Sequence, residues 1–266
     1  MTQKNIAEQI LELASEQRLE IIIQLSKQKT RLTEMAQIVD ATKPEIHRNF
    51  ERMTKSGIIQ KDNQGYYSLT TIGKALSSQI PLIEFISKNK TALQIHHMDG
   101  MPEKFIQRLG ALNESQNIKG MVKVLDVWKQ IYQNSDSFIY DILNEIPYSS
   151  DFVEPLLARV GKGIHVKSIF SHNVIASKER KKIYVQKFRK LISEGKIERK
   201  MKVQIPALLV MNEKEACLIL QNSNNEYDLG FALYSQDKAF VEWCLDYFLD
   251  SWNKSGEFLE SSFNDN

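Results

Sequence analysis

The sequence predicts two unlike domains: a small α+β unit over residues 1–86 and a larger α/β domain with a mixed sheet over residues 87–266. Three observations predict this. Before residue 70, short stripes of apolar residues at helical spacing give way to a hairpin pattern with glycine in its turn. From Thr91 onward, strand and helix patterns alternate, and then strands cluster. Charge is also segregated in the C-terminal half. Residues 161–202 carry thirteen Lys/Arg against three Asp/Glu, a net +10, and residues 212–266 carry three Lys against eleven Asp/Glu, a net −8.

Of the 266 residues, 42% are hydrophobic and 26% charged, the profile of a soluble globular chain. Eleven Gly and six Pro argue against collagenous or long disordered segments. No apolar run approaches the roughly 20 residues that span a bilayer. Met1 to Leu13 mixes charged and apolar residues and lacks a signal-peptide core. Cys217 and Cys244 have no metal-ligand spacing, so buried free thiols in a reducing cytoplasm are expected, without a membrane partner.

In the N-terminal unit, Ile6, Ile10 and Leu13 form a first helical stripe, with Ser15 as a break. Leu19, Ile22 and Ile23 continue on a second helix ending near Lys27. Leu32, Met35, Ala36 and Val39 mark a third, short one. Asp40-Ala41 makes a tight connection. Thr42 and Glu45 then have capping-box spacing, and Pro44 falls in a first turn, where its missing N–H sacrifices nothing. The helix so opened buries Ile46, Phe50 and Met53 and stops at Gly57. Ile58-Ile59, a polar tip over residues 61–65 and Tyr66 to Leu69 read as a hairpin, followed by a helix from about Thr71.

Helix, helix, short helix, tight turn, capped helix and hairpin together spell a winged helix-turn-helix. A capped helix projecting from such a core can enter the major groove, about 12 Å wide, while cations on its flank and on the wing meet phosphates. The candidate DNA contacts are Lys43, His47, Arg48, Arg52 and Lys55 on the helix and Lys61 on the wing. The stretch from Arg31 to Leu76 resembles the ArsR-like winged-helix regulators of archaea, which implies binding of double-stranded DNA. Such regulators read two half-sites as dimers, so a homodimer is expected. Ile72, Leu76, Ile80, Ile83 and Phe85 extend an apolar helical face toward Asn89, with Pro81 placed to kink it, and this connector either joins the domains or packs on a second subunit.

Beyond it, strands are expected over residues 92–97, 138–143, 164–170, 197–203, 207–211, 216–220 and 229–234. Helices are expected over 102–109, 121–131, 152–160, 179–192 and 238–252. The motifs His96-His97-Met98-Asp99-Gly100-Met101-Pro102, Phe105 to Leu112 and Gly163-Ile164-His165-Val166-Lys167 resemble the sensor domain of archaeal winged-helix regulators of the methanogenesis and filamentation type. That resemblance implies transcriptional regulation and names no effector.

The strand layout is also similar to the phospholipase D-like fold, whose enzymes use His-x-Lys-x4-Asp. In the matching register this chain has Ile205, Ala207 and Asn212, which cannot perform the chemistry, and His165-x-Lys167 lacks the acid because position 172 is His172. Adjacent His96 and His97 on a strand would face opposite ways, which disfavours a shared metal. With no Gly-rich phosphate loop, GxSxG or CxxC pair, the sequence predicts a non-enzyme without cofactor or metal. The basic block offers Lys167, His172, Arg180 and Lys181 to a small anionic effector near the end of a central strand. The alternative is a non-catalytic adaptor using both domains for protein contacts.

Overall fold

The computed structural model describes residues 10–145, 150–175 and 188–259, and the chain divides into two compact units between Ile80 and Pro81.

In the N-terminal unit a helical stretch ends at Leu13 and leads into α1 (Glu16–Lys27), β1 (Thr30–Arg31) and α2 (Leu32–Ile38). Asp40 turns the chain at φ +47°, the left-handed conformation that Asp tolerates better than most residues. Next come α3 (Lys43–Lys55), β2 (Ile59–Lys61), β3 (Tyr66–Leu69) and α4 (Thr71–Ser77). Ile21, Ile22 and Leu25 of α1, Met35 and Ala36 of α2, and Ile46, Phe50 and Met53 of α3 converge in one core with Ile58 and Leu69. The two-residue β1 joins the hairpin as a third strand, in the order β1-β3-β2, with Thr30 opposite Tyr67. The expected long connector is two helices. α4 ends at Ser77, and α5 (Ile80–Lys88) begins again with Pro81 in its first turn. Proline is compatible with that position and breaks a helix interior, so Pro81 marks a start rather than a kink.

In the C-terminal unit, α6 (Lys90–Ile95) precedes β4 (His96–His97). The expected strand over residues 92–97 is therefore helical except for its last two residues. Ala92, Leu93 and Gln94 are good helix formers, and their propensity outweighs the short apolar run. The expected helix over 102–109 is a short α7 (Glu103–Ile106) followed by a 3-10 turn, Leu109–Leu112. Then come β5 (Gln116–Lys119), α8 (Met121–Asn134), β6 (Phe138–Glu145), α9 (Ser150–Val160) and β7 (His165–Ile175). Residues 188–193 are helical, and the rest of the helix expected over 179–192 lies outside the described residues. The chain continues through β8 (Ile197–Lys202), β9 (Ala207–Met211), β10 (Ala216–Asn222), β11 (Phe231–Ser235), α10 (Lys238–Asn253) and β12 (Gly256–Glu257).

These strands make one mixed sheet in the order β12-β8-β7-β6-β9-β10-β11-β5, with β4 on β10. β6, β7 and β8 run parallel, with Tyr140 opposite Lys167 and Lys167 opposite Glu198. β9, β10 and β11 form an antiparallel meander joined to β6 through β9. Every residue of β9 and β11 is buried, as expected of strands covered on both faces. α10 buries Phe240, Trp243, Tyr247 and Phe248. It docks by polar atoms as well: the Tyr247 hydroxyl donates to the Ala207 carbonyl at 3.1 Å, and the Trp243 indole donates to that of Phe105 at 3.2 Å. Cys217 and Cys244 are buried free thiols, and burial pushes the Cys217 thiol up to about 12.

Candidate nucleic-acid interface

The site builds outward from the ends of α3. At its start the Thr42 N–H and hydroxyl both donate to Glu45 Oε2, at 2.9 and 2.7 Å. These bonds, the hydroxyl's first, hold the Glu45 carboxyl below its usual range and fix the entry of the chain. At its end Gly57 takes φ +75°. Its N–H bonds the Thr54 carbonyl, and that of Ile58 bonds the Met53 carbonyl, a Schellman closure. The wing follows directly. Its tip is organised by Asp62, whose Oδ1 accepts the N–H groups of Tyr66 and Gln64, each at 2.9 Å. Those bonds, with a contact from Lys29 Nζ at 3.4 Å, lower the Asp62 carboxyl and set the hairpin.

Between α3 and the wing lies an open groove of about 750 Å3. His47, Arg48, Glu51, Arg52, Thr54 and Lys55 of α3 line one wall and Lys61 and Tyr67 of the hairpin the other. Five of the six residues singled out from sequence thus meet on one surface. Lys43 stands apart, exposed at the first position of α3. They are not equivalent. Arg52 makes a bidentate ion pair with Glu12, at 2.8 and 2.9 Å, which raises the guanidinium further above its ordinary value. His47 sits 3.7 Å from Glu51 one turn on. Lys61 lies 5.5 Å over the Tyr67 ring, which packs on Phe50 at 4.2 Å. That contact ties a wing cation to the helix core.

Sequence reading missed Lys29 and Arg31. Both stack over Tyr66, at 4.7 and 4.6 Å, so the wing face beside β1 is basic too. The signal was there as Lys27, Lys29 and Arg31 at alternating positions, which is strand spacing.

In the C-terminal unit the proposed anion contacts disperse. Lys167 lies 3.4 Å from Glu198 and 5.1 Å over the Trp252 ring. His172 is exposed and lies within β7, which runs on to Ile175, rather than after the strand. Arg180 and Lys181 lie outside the described residues. Nearby cations are engaged as well: Lys200 donates to the Trp252 carbonyl at 3.0 Å and Lys202 to Ser251 Oγ at 3.0 Å.

The positions that would carry phosphodiesterase chemistry are structural. Ile205 and Ala207 are buried. Asn212 donates to the Ile131 carbonyl at 2.8 Å and accepts from the N–H groups of Lys214 and Glu215, closing the β9–β10 turn. His96 is buried against Asp228 at 2.9 Å, whereas His97 meets Asp99 at 3.5 Å near the surface. Among the described residues no three His, Cys, Asp or Glu side chains are grouped to hold a metal. No described helix is long and apolar enough to cross a membrane.

No protein-family model matches the chain, and no curated protein matches it. Among solved structures it is similar to TrmBL2, described as an archaeal chromatin protein with a novel mode of DNA binding. That match has 13% identity and a TM-score of 0.43, over 94% of this chain and 99% of that one. It is similar also to Nuc from Salmonella typhimurium, a phospholipase D family member, at 14% identity and TM-score 0.39, over 55% of this chain and 99% of that one. NucT from Helicobacter pylori aligns at 11% identity and TM-score 0.39, over 55% and 100%.

Proposed function

We propose that this chain is a cytoplasmic DNA-binding regulator whose N-terminal unit is a winged helix-turn-helix, of the ArsR-like kind, and whose residues from about 87 form a sensor domain of phospholipase D-like architecture. One observation carries the reading: a helix fixed at both ends presents Arg48 and Lys55 into a groove whose other wall is a hairpin bearing Lys61. Phosphates on either side of a major groove would meet these cations, with Lys43, His47 and Arg52 flanking them. Lys29 and Arg31 extend the positive face across the hairpin.

The working state is a homodimer. Support for it comes from α5, which buries Phe85 but leaves Ile83 and Ile86 exposed on one face. The C-terminal domain is non-catalytic, without cofactor, and answers to a small anion, for which the surroundings of β7 offer Lys167, His172, Arg180 and Lys181. The test is a titration of the full chain against labelled duplex DNA at several salt concentrations. A log–log salt slope of several units supports phosphate contacts, at about 0.9 per phosphate neutralised. A flat slope, or no binding, moves the reading to a protein adaptor.

A further inference from the structure

A better enclosed place for an anion lies toward the opposite edge of the sheet from β7 and β8. Here α6, β5 and the entry to β11 surround a half-open cavity of about 410 Å3, a volume within the ordinary range for small-molecule sites. Its wall includes His96, whose ring stacks on Phe231 with centroids 5.0 Å apart and planes 27° apart. Beside them Asn117 donates to Asn89 Oδ1 at 3.0 Å, and buried Asn89 in turn donates to the Phe85 carbonyl at 3.0 Å. These bonds fix two side-chain amides in the lining. Lys88 and Lys119 both line the cavity as well, from separate elements.

The lining sets two lysines against one carboxylate. Its single carboxylate, Asp228, is engaged at both oxygens: His96 Nε2 lies 2.9 Å from Oδ2, and the Gly230 N–H donates to Oδ1 at 2.8 Å. Among the described residues neither Lys88 nor Lys119 has a carboxylate within ion-pairing distance. Two ammonium groups against one carboxylate already held by its own hydrogen bonds leave a concave wall net positive, which raises the local concentration of anions, and the fixed amides and the flat His96–Phe231 stack supply hydrogen bonds and a surface for an organic body.

We propose that this cavity is a binding site for a small anion, a metabolite bearing a phosphate or carboxylate group held between Lys88 and Lys119 with its polar remainder against Asn117 and Thr91. The site does not depend on DNA binding and shares no residue with the surroundings of β7.

The test uses the full-length, 15N-labelled chain titrated with sodium phosphate and, separately, with citrate, each at an ionic strength matched with sodium chloride. Saturable shifts of the Asn117, Lys119 and Gly230 amides with at least one probe are expected. Lys88→Gln with Lys119→Gln should weaken binding tenfold or more without changing Tm, because both side chains are solvent-facing. Asn117→Asp, which places a negative charge in the wall, should weaken it independently. Lys238→Gln, an exposed lysine of α10 outside the cavity, should leave affinity unchanged. Absence of saturation by either probe, equal affinity in the double lysine variant, or an equal loss on Lys238→Gln would each overturn the proposal.

Discussion

Arg52 of α3 holds the carboxylate of Glu12 through two nitrogens, Nε at 2.9 Å and Nη2 at 2.8 Å, while Arg18 approaches the same carboxylate at 3.4 Å. Glu12 is nearly buried, so the pair fastens the first helical stretch to α3 and only the outer part of Arg52 is free to meet a phosphate. Arg48, one turn earlier and exposed, has no such tie among the described residues.

The two arginines should therefore separate. Arg48→Ala should weaken binding to all duplexes alike and lower the salt slope by about 0.9. Arg52→Ala should lower Tm measurably and change the slope less. Anisotropy titrations and thermal melts on both variants check this, and equal slopes with equal Tm would count against it.

Two glycines should differ in the same way. At Gly57→Ala the new methyl makes only an ordinary van der Waals contact, with Ile72 Cδ1 at 3.8 Å, so its cost is the left-handed backbone alone, about 1–2 kcal/mol. Gly73→Ala would place a methyl 2.1 Å from the Ile58 carbonyl oxygen, a contact with backbone that cannot give way. It should destabilise the unit far more, and urea unfolding of both variants gives the comparison.

Asp141 sets a pH dependence. It is buried on β6 beside Tyr132 and Ser168, and burial raises its carboxyl to about 7, against the hydrogen bonds from those two hydroxyls. The folded state therefore holds a proton that the unfolded state has lost above about pH 4. Stability falls as pH rises from there to about 7, by roughly 1.4 kcal/mol per unit, and is level beyond. Asp141→Asn should remove this component, so that the variant gains on the parent by a few kcal/mol between pH 5 and pH 8. A difference in urea midpoint between variant and parent that is the same at pH 5 and at pH 8 would contradict it.

If Ile83 and Ile86 form the dimer contact, Ile83→Glu with Ile86→Glu should yield a monomer by light scattering and weaken binding to paired half-sites more than to a single one. An unchanged mass would place the contact elsewhere.

The N-terminal unit was legible because its signals are local. Thr42, Pro44 and Gly57 mark both ends of α3, and Ile46, Phe50 and Met53 its buried stripe. What escaped was set by partners distant in sequence. Thr30–Arg31 is a strand only because Tyr66 and Tyr67 lie opposite, and Gln116–Lys119 is polar and becomes β5 by pairing with β11. The groove residues were readable as a basic helix face. The pairing of Arg52 with Glu12 was not, since nothing in the spacing links them. Nor could the cavity by His96 be seen, because Asp228 and Phe231 reach it from far along the chain.

The split character of the large sheet governs the order in which it can assemble. β9, β10 and β11 pair with neighbours next to them in the chain, so their loops close quickly and at small entropic cost. β6, by contrast, must find β9 by bringing Tyr140 to Met211, across all of α9, β7 and β8. The meander around Leu209 and Leu218 is thus the natural nucleus, and the parallel half condenses on it later. Substitutions in the meander should slow refolding, whereas those at the β7–β8 edge should chiefly hasten unfolding.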